Sequence, residues 1–114
     1  MMCCFVTATA VKKITGAAFA TYGGVSAVTF NWLCHSSKLN KYQSSKAVTR
    51  YFCRHCGSTL ISIDRAEPET IYLSLGLLDS NTPIIPQYHQ FVSSKAHWYK
   101  ITDRLPKYTG AYGC

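Results

Sequence analysis

Short β-favouring runs, each cut off by turn-forming residues, recur along this chain and hold it to a strand-rich fold. Residues 39–44 and 47–53 form two such runs around Ser44-Ser45-Lys46, the pattern of a hairpin. Residues 58–65 alternate and break at Ala66-Glu67-Pro68-Glu69, and 70–75 then resumes the pattern. Asp79-Ser80-Asn81 marks a further turn, Pro83 and Pro86 keep the connection extended, and 88–93 reads as the last strand. Upstream, 17–22 runs into Gly23-Gly24, a turn signal, and 25–33 follows with Val28, Phe30 and Trp32 alternating with Thr29 and Asn31. Residues 98–108 keep no period and are expected to pack aromatic rings irregularly on the sheet. The expected class is all-β, with mainly antiparallel strands.

At 114 residues the chain has room for one small domain and one modest core. Apolar residues at 47% and charged residues at 15% exclude a disordered tail. The uncharged stretch 14–37 raises the question of a membrane span. It contains Thr15, Gly16, Gly23, Gly24, Ser26 and Asn31, and its later half has period two, so no spanning helix is expected. The apolar start has its bases behind it rather than ahead, unlike a secretory signal, so a cytoplasmic location is expected.

Charge is uneven. Twelve Lys and Arg against five Asp and Glu give +7, and the first acid is Asp64. Residues 1–63 thus carry the whole excess, on Lys12, Lys13, Lys38, Lys41, Lys46, Arg50 and Arg54. Such an excess favours an anionic small molecule or nucleic acid, set against the plainer reading of a solvated basic surface. Tyr42, Tyr51 and Phe52 interleave with five of these bases, the composition of a nucleic-acid strip if one face gathers them.

Six cysteines stand at 3, 4, 34, 53, 56 and 114. Cys53-Arg54-His55-Cys56-Gly57 is the pattern of a metal knuckle, in which a tight turn aims two thiolates at one tetrahedral Zn²⁺. A single such pair is half a site, and a redox pair or two buried cysteines remain alternatives. Cys34-His35 reads as strand-end sequence, His55 as a knuckle residue without ligand status, and Cys114 as a terminal thiol. His89 reads as a satisfied structural histidine, and His97-Trp98 as packing at the sheet end. No phosphate loop, Ser-His-Asp order or paired carboxylates supply another chemistry.

Five phrases in order carry a resemblance. They are Lys12-Lys13-Ile14-Thr15-Gly16-Ala17-Ala18-Phe19-Ala20, Tyr51-Phe52-Cys53-Arg54-His55-Cys56-Gly57-Ser58, Leu75-Gly76-Leu77-Leu78-Asp79, Pro86-Gln87-Tyr88-His89-Gln90-Phe91-Val92, and Trp98 with Asp103-Arg104-Leu105-Pro106. Over about 12–108 the chain resembles the glutathione-dependent formaldehyde-activating enzymes, a family that includes centromere protein V. The resemblance implies a single β-tent-like domain with a CxxC zinc knuckle. It also implies carbon–sulfur lyase chemistry, in which glutathione and formaldehyde exchange with S-hydroxymethylglutathione.

The family pattern has two zinc sites, and this chain departs from both. Counted back from Lys12, the three catalytic ligand positions fall on Val6, Ala8 and Val11, so no catalytic zinc is expected. Of the structural ligands only Cys53 and Cys56 match, giving a partial zinc site at best. Cys3 and Cys4 are out of register, and adjacent cysteines chelate poorly. The expected organisation is 1–11 as an atypical start in place of the family's opening strands and catalytic cysteines, 12–108 as the domain, and 109–114 as a tail. The small residues of Thr15-Gly16-Ala17-Ala18 are expected to allow close backbone approach, with Lys12 or Lys13 meeting the carboxylates of a glutathione-type ligand. The expected protein is an inactive or impaired lyase; the alternative is a non-catalytic module binding nucleic acid or an acidic partner through its basic half.

Overall fold

The computed structural model describes residues 2–79, 81 and 83–113. Among the described residues, seven strands and one short α-helix follow in chain order, besides three single-turn 3-10 helices: β1 (Met2–Val6), α1 (Thr9–Thr15), β2 (Ala20–Ser26), β3 (Leu39–Gln43), β4 (Val48–Cys53), β5 (Thr59–Asp64), β6 (Thr70–Ser74) and β7 (Tyr88–Gln90). The class is β-dominated, with mostly antiparallel pairing, as the strand runs imply. The helix is the departure from an all-β reading. Contacts group the described residues into two compact units, Gly23–Asp79 and Met2–Tyr22 with the chain from 81 to 113.

In the first unit the strand order is β3-β4-β5-β6, followed by the Gly23-to-Ser26 part of β2. β3, β4, β5 and β6 pair antiparallel in sequence order. The β3–β4 hairpin turns on serine: Ser45 Oγ accepts from the amides of Ala47 (3.3 Å) and Val48 (3.1 Å), capping the turn where the sequence places it. Ile61 and Ile71, on adjacent strands, supply the buried apolar side chains of this unit.

β2 runs through Gly23-Gly24 instead of turning there. A Cβ at Gly24 would meet Thr70 Cγ2 at 3.3 Å and Tyr72 Cε1 at 3.5 Å, so the glycine permits close approach to β6. The strand ends at Ser26, whose carbonyl accepts from Thr29 N at 3.2 Å and whose Oγ accepts from Val28 N at 3.3 Å. The alternation over 28–33 is therefore not a strand. Val28 and Leu33 stand exposed, and Phe30 meets Trp32 edge-on at 5.1 Å.

In the second unit the Ala20-to-Tyr22 part of β2 is followed by β1 and then β7. β1 and β7 pair in parallel, with Cys4 opposite Tyr88 and Phe5 opposite His89. Here lies most of the core: Cys3, Cys4, Val6, Thr7, Val11, Tyr22, Tyr88, His89 and Ala96 are all buried. β7 stops at Gln90, short of the expected 93, because Phe91 adopts φ 60 and turns the backbone left-handed. Residues 98–108 are irregular, as expected, with Lys107 in a single parallel bridge to His89.

α1 has no side-chain cap at Ala8, but Lys12 and Lys13 lie in its last turn, where cations favour the helix dipole. Gly16 ends it at φ 66 and donates its N–H to the Lys12 carbonyl at 2.8 Å. A Cβ at Gly16 would meet nothing within 4 Å. What this glycine supplies is the left-handed cap, not the expected close approach.

Candidate functional site

The cysteine knuckle is the loop of the β4–β5 hairpin. Cys53 ends β4, its N–H donates to Ser58 O at 2.9 Å, and Gly57 N–H returns to Cys53 O at 2.8 Å. Gly57 takes φ 77, a conformation side chains rarely adopt, and this closes the turn that carries both thiols. Cys56 is exposed; its Sγ lies 3.0 Å from Ser58 Oγ. Hydrogen bonds from the Ser58 side chain and backbone, and from the Cys53 thiol, hold the Cys56 pKa below its ordinary value. The turn thus sets the Cys53 thiol in hydrogen bonding with Cys56, a donor pair of the type that occupies two corners of a tetrahedral zinc site.

Among the described residues, no third His, Cys, Asp or Glu joins them in a group able to hold a metal. The knuckle fits half of a closed structural site. Cys3 and Cys4 are buried in β1, burial raises both thiols, and successive strand residues face opposite ways, so they do not form a chelating pair. Cys34 is exposed, and Cys114 lies outside the described residues.

The positions where the resemblance places catalytic ligands are apolar in fact. Val6 and Val11 are each 5% exposed and Ala8 precedes the first turn of α1, so these three side chains do not fit a zinc ion. Beside them lies a groove of 360 Å³ whose lining includes Thr9, Lys12, Lys13, Gly16, Ala96 and Trp98. Lys12 is part-buried, and its Nζ donates to the Ser94 carbonyl, which fixes the ammonium in place. Lys13 and Trp98 are exposed. The groove therefore offers one anchored cation, one exposed cation and an indole side chain, a combination suited to a small carboxylate-bearing molecule.

The basic aromatic strip is divided by its own register. Lys41 faces Tyr51 and Tyr42 faces Arg50 across the β3–β4 ladder, so the two pairs lie on opposite sides of the hairpin. Arg50 is 8% exposed, and its Nε donates to Ser44 Oγ at 3.0 Å. The described geometry does not gather the five bases on one face.

His89 shows a feature that the strand pattern did not reveal. Its ring stacks on Phe5 at 4.7 Å, and Nε2 lies 2.8 Å from Asp103 Oδ2. Nδ1 is buried with no hydrogen-bond partner. The histidine is thus satisfied at one nitrogen and orphaned at the other. Fourteen residues and an irregular segment separate the pair, so no local pattern signals it. His97 and Trp98 are exposed rather than packed at a sheet end.

A family model described as glutathione-dependent formaldehyde-activating enzyme matches residues 1–94. The match takes in β1, α1, the Lys12–Lys13 groove's helix face and the knuckle alike. No curated protein matches the chain.

Proposed function

Because the chain belongs to the glutathione-dependent formaldehyde-activating enzyme family, we propose that it binds a glutathione-type small molecule without efficient carbon–sulfur lyase turnover. The family supports a glutathione- and formaldehyde-related function, and the Lys12–Lys13 groove supplies cations for the ligand's carboxylates. The observation that carries the impaired chemistry is the burial of Val6 and Val11 where the family pattern calls for zinc-binding thiolates. Zinc bound there would act as a Lewis acid on the ligand's sulfur or oxygen; valine and alanine have no lone pair to hold it.

Zinc at Cys53 and Cys56 is a separate, weaker site in this reading. Cys53 and Cys56 would hold such an ion, which would clamp the β4–β5 loop. Such a site is expected to release its metal on dialysis, whereas a four-ligand protein site retains it.

Two readouts test the proposal together. Titrating glutathione into ¹⁵N-labelled protein is expected to shift the amides around Lys12, Lys13 and Trp98 in a saturable way. Lys13→Ala is expected to weaken that binding by about fivefold, the scale of one exposed charge pair. Absence of saturable shifts up to several times the cellular millimolar range would overturn the binding half of the proposal. Zinc that stays near one per chain through dialysis would overturn the two-ligand account of the knuckle.

A further inference from the structure

The segment beyond residue 94 lies outside the family match, and its cations converge on a second groove. This groove has a volume of 500 Å³, and Lys95, His97, Tyr99, Lys100, Ile101 and Lys107 are among its lining residues. No carboxylate lines it. Three lysines line one concavity and make it basic, and Asp103 Oδ1 lies 3.9 Å from Lys107 Nζ.

Two of the three ammoniums are held by the backbone rather than left to wave in solvent. Lys95 Nζ donates to the carbonyls of Ala96, at 3.1 Å, and Tyr99. Lys107 Nζ donates to the carbonyls of Asp103 at 3.1 Å and Leu105 at 2.9 Å. An ammonium has three N–H donors, so each of these keeps one for a ligand. The Lys107 loop is itself braced. Buried His89 holds the Asp103 carboxylate through Nε2, Asp103 Oδ1 accepts from Leu105 N at 2.9 Å, and the His89 backbone bridges to Lys107. Lys100 and His97 are exposed and complete the rim.

We propose that this groove binds a small polyanion carrying phosphate groups. Ammonium point charges suit phosphate oxygens, and pre-positioned donors lose less freedom on binding than extended surface lysines. The Tyr99 ring and Ile101 give the groove an apolar lining for whatever the phosphates are attached to. Gathering the cations around one concavity favours a compact ligand over an extended strand.

The test is calorimetric titration of the whole chain with inorganic tripolyphosphate at fixed ionic strength, with ¹H–¹⁵N spectra recorded in parallel. One saturable site is expected, with shifts confined to residues of the 92–107 segment. Lys100→Ala, which removes an exposed side chain and keeps the braced lysines, is expected to weaken binding by about tenfold. Lys13→Ala, in the other groove, is expected to leave it within about twofold. No saturation at millimolar tripolyphosphate would overturn the proposal. Equal losses in the two variants would overturn it as well, by showing a response to net charge alone. So would tighter binding of a single-stranded oligonucleotide of matched charge.

Discussion

Cys3 and Cys56 mark the two extremes of thiol environment in this protein. Cys3 is 1% exposed and burial raises its pKa, whereas hydrogen bonds to an exposed Cys56 lower the pKa there. Alkylation of the native protein at neutral pH, mapped by mass spectrometry, is therefore expected to mark Cys56 first among the thiols whose surroundings are described. Cys3 and Cys4 are expected to react only as the protein unfolds. Fast labelling at Cys3 would mean that β1 opens in the native state. Asp103 gives the pH counterpart. The His89 hydrogen bond, above all, depresses its pKa below the ordinary 3.8. A depressed carboxylate contributes stability that is complete above 3.8 and fades as pH falls through its lower folded value. Asp103→Asn is expected to lower Tm near neutral pH and to flatten its decline at the acidic end. A parallel decline in both proteins would remove the His89–Asp103 bond from the stability argument.

Elements whose partners are near in sequence were legible, whereas of the distant β1–β7 pair only β7 was. β3, β4, β5 and β6 each pair with the next strand, so their alternation and turn residues specify them locally. β1 pairs with β7 more than eighty residues away, and no short-range pattern announces that. α1 has seven residues and one buried side chain, too short a stretch for a helical period to show. Gly23-Gly24 misled because glycine serves turns and close strand approach equally. The tight turn that carries Cys53 and Cys56 was legible since both thiols and the closing glycine lie within five residues, while the His89–Asp103 pair depends on tertiary placement. Two substitutions separate the glycine roles. Gly57→Ala places a side chain at φ 77 and is expected to cost about 1–2 kcal/mol through backbone strain. Gly24→Val forces branched carbons onto Thr70 and Tyr72 and is expected to cost roughly 1–3 kcal/mol through overpacking. Urea unfolding midpoints check both, and a neutral Gly24→Val would show that β6 yields at that contact.

Across the whole molecule, the twelve basic side chains fall in places with different consequences. Lys12 and Lys13 line one groove, Lys95, Lys100 and Lys107 line another, and the bases of β3 and β4 are split between two faces. No helix among the described residues is long and apolar enough to cross a membrane. The family accounts for the body of the chain and for its glutathione- and formaldehyde-related character. In the proposed function, the apolar side chains at Val6, Ala8 and Val11 are the reason that turnover is impaired. The most direct test is the rate of S-hydroxymethylglutathione formation from glutathione and formaldehyde, followed by exchange NMR with zinc supplied in slight excess. The expected rate matches the protein-free reaction at every protein concentration. Acceleration proportional to protein, and abolished by a chelator, would contradict the account and place a working metal centre elsewhere in the chain.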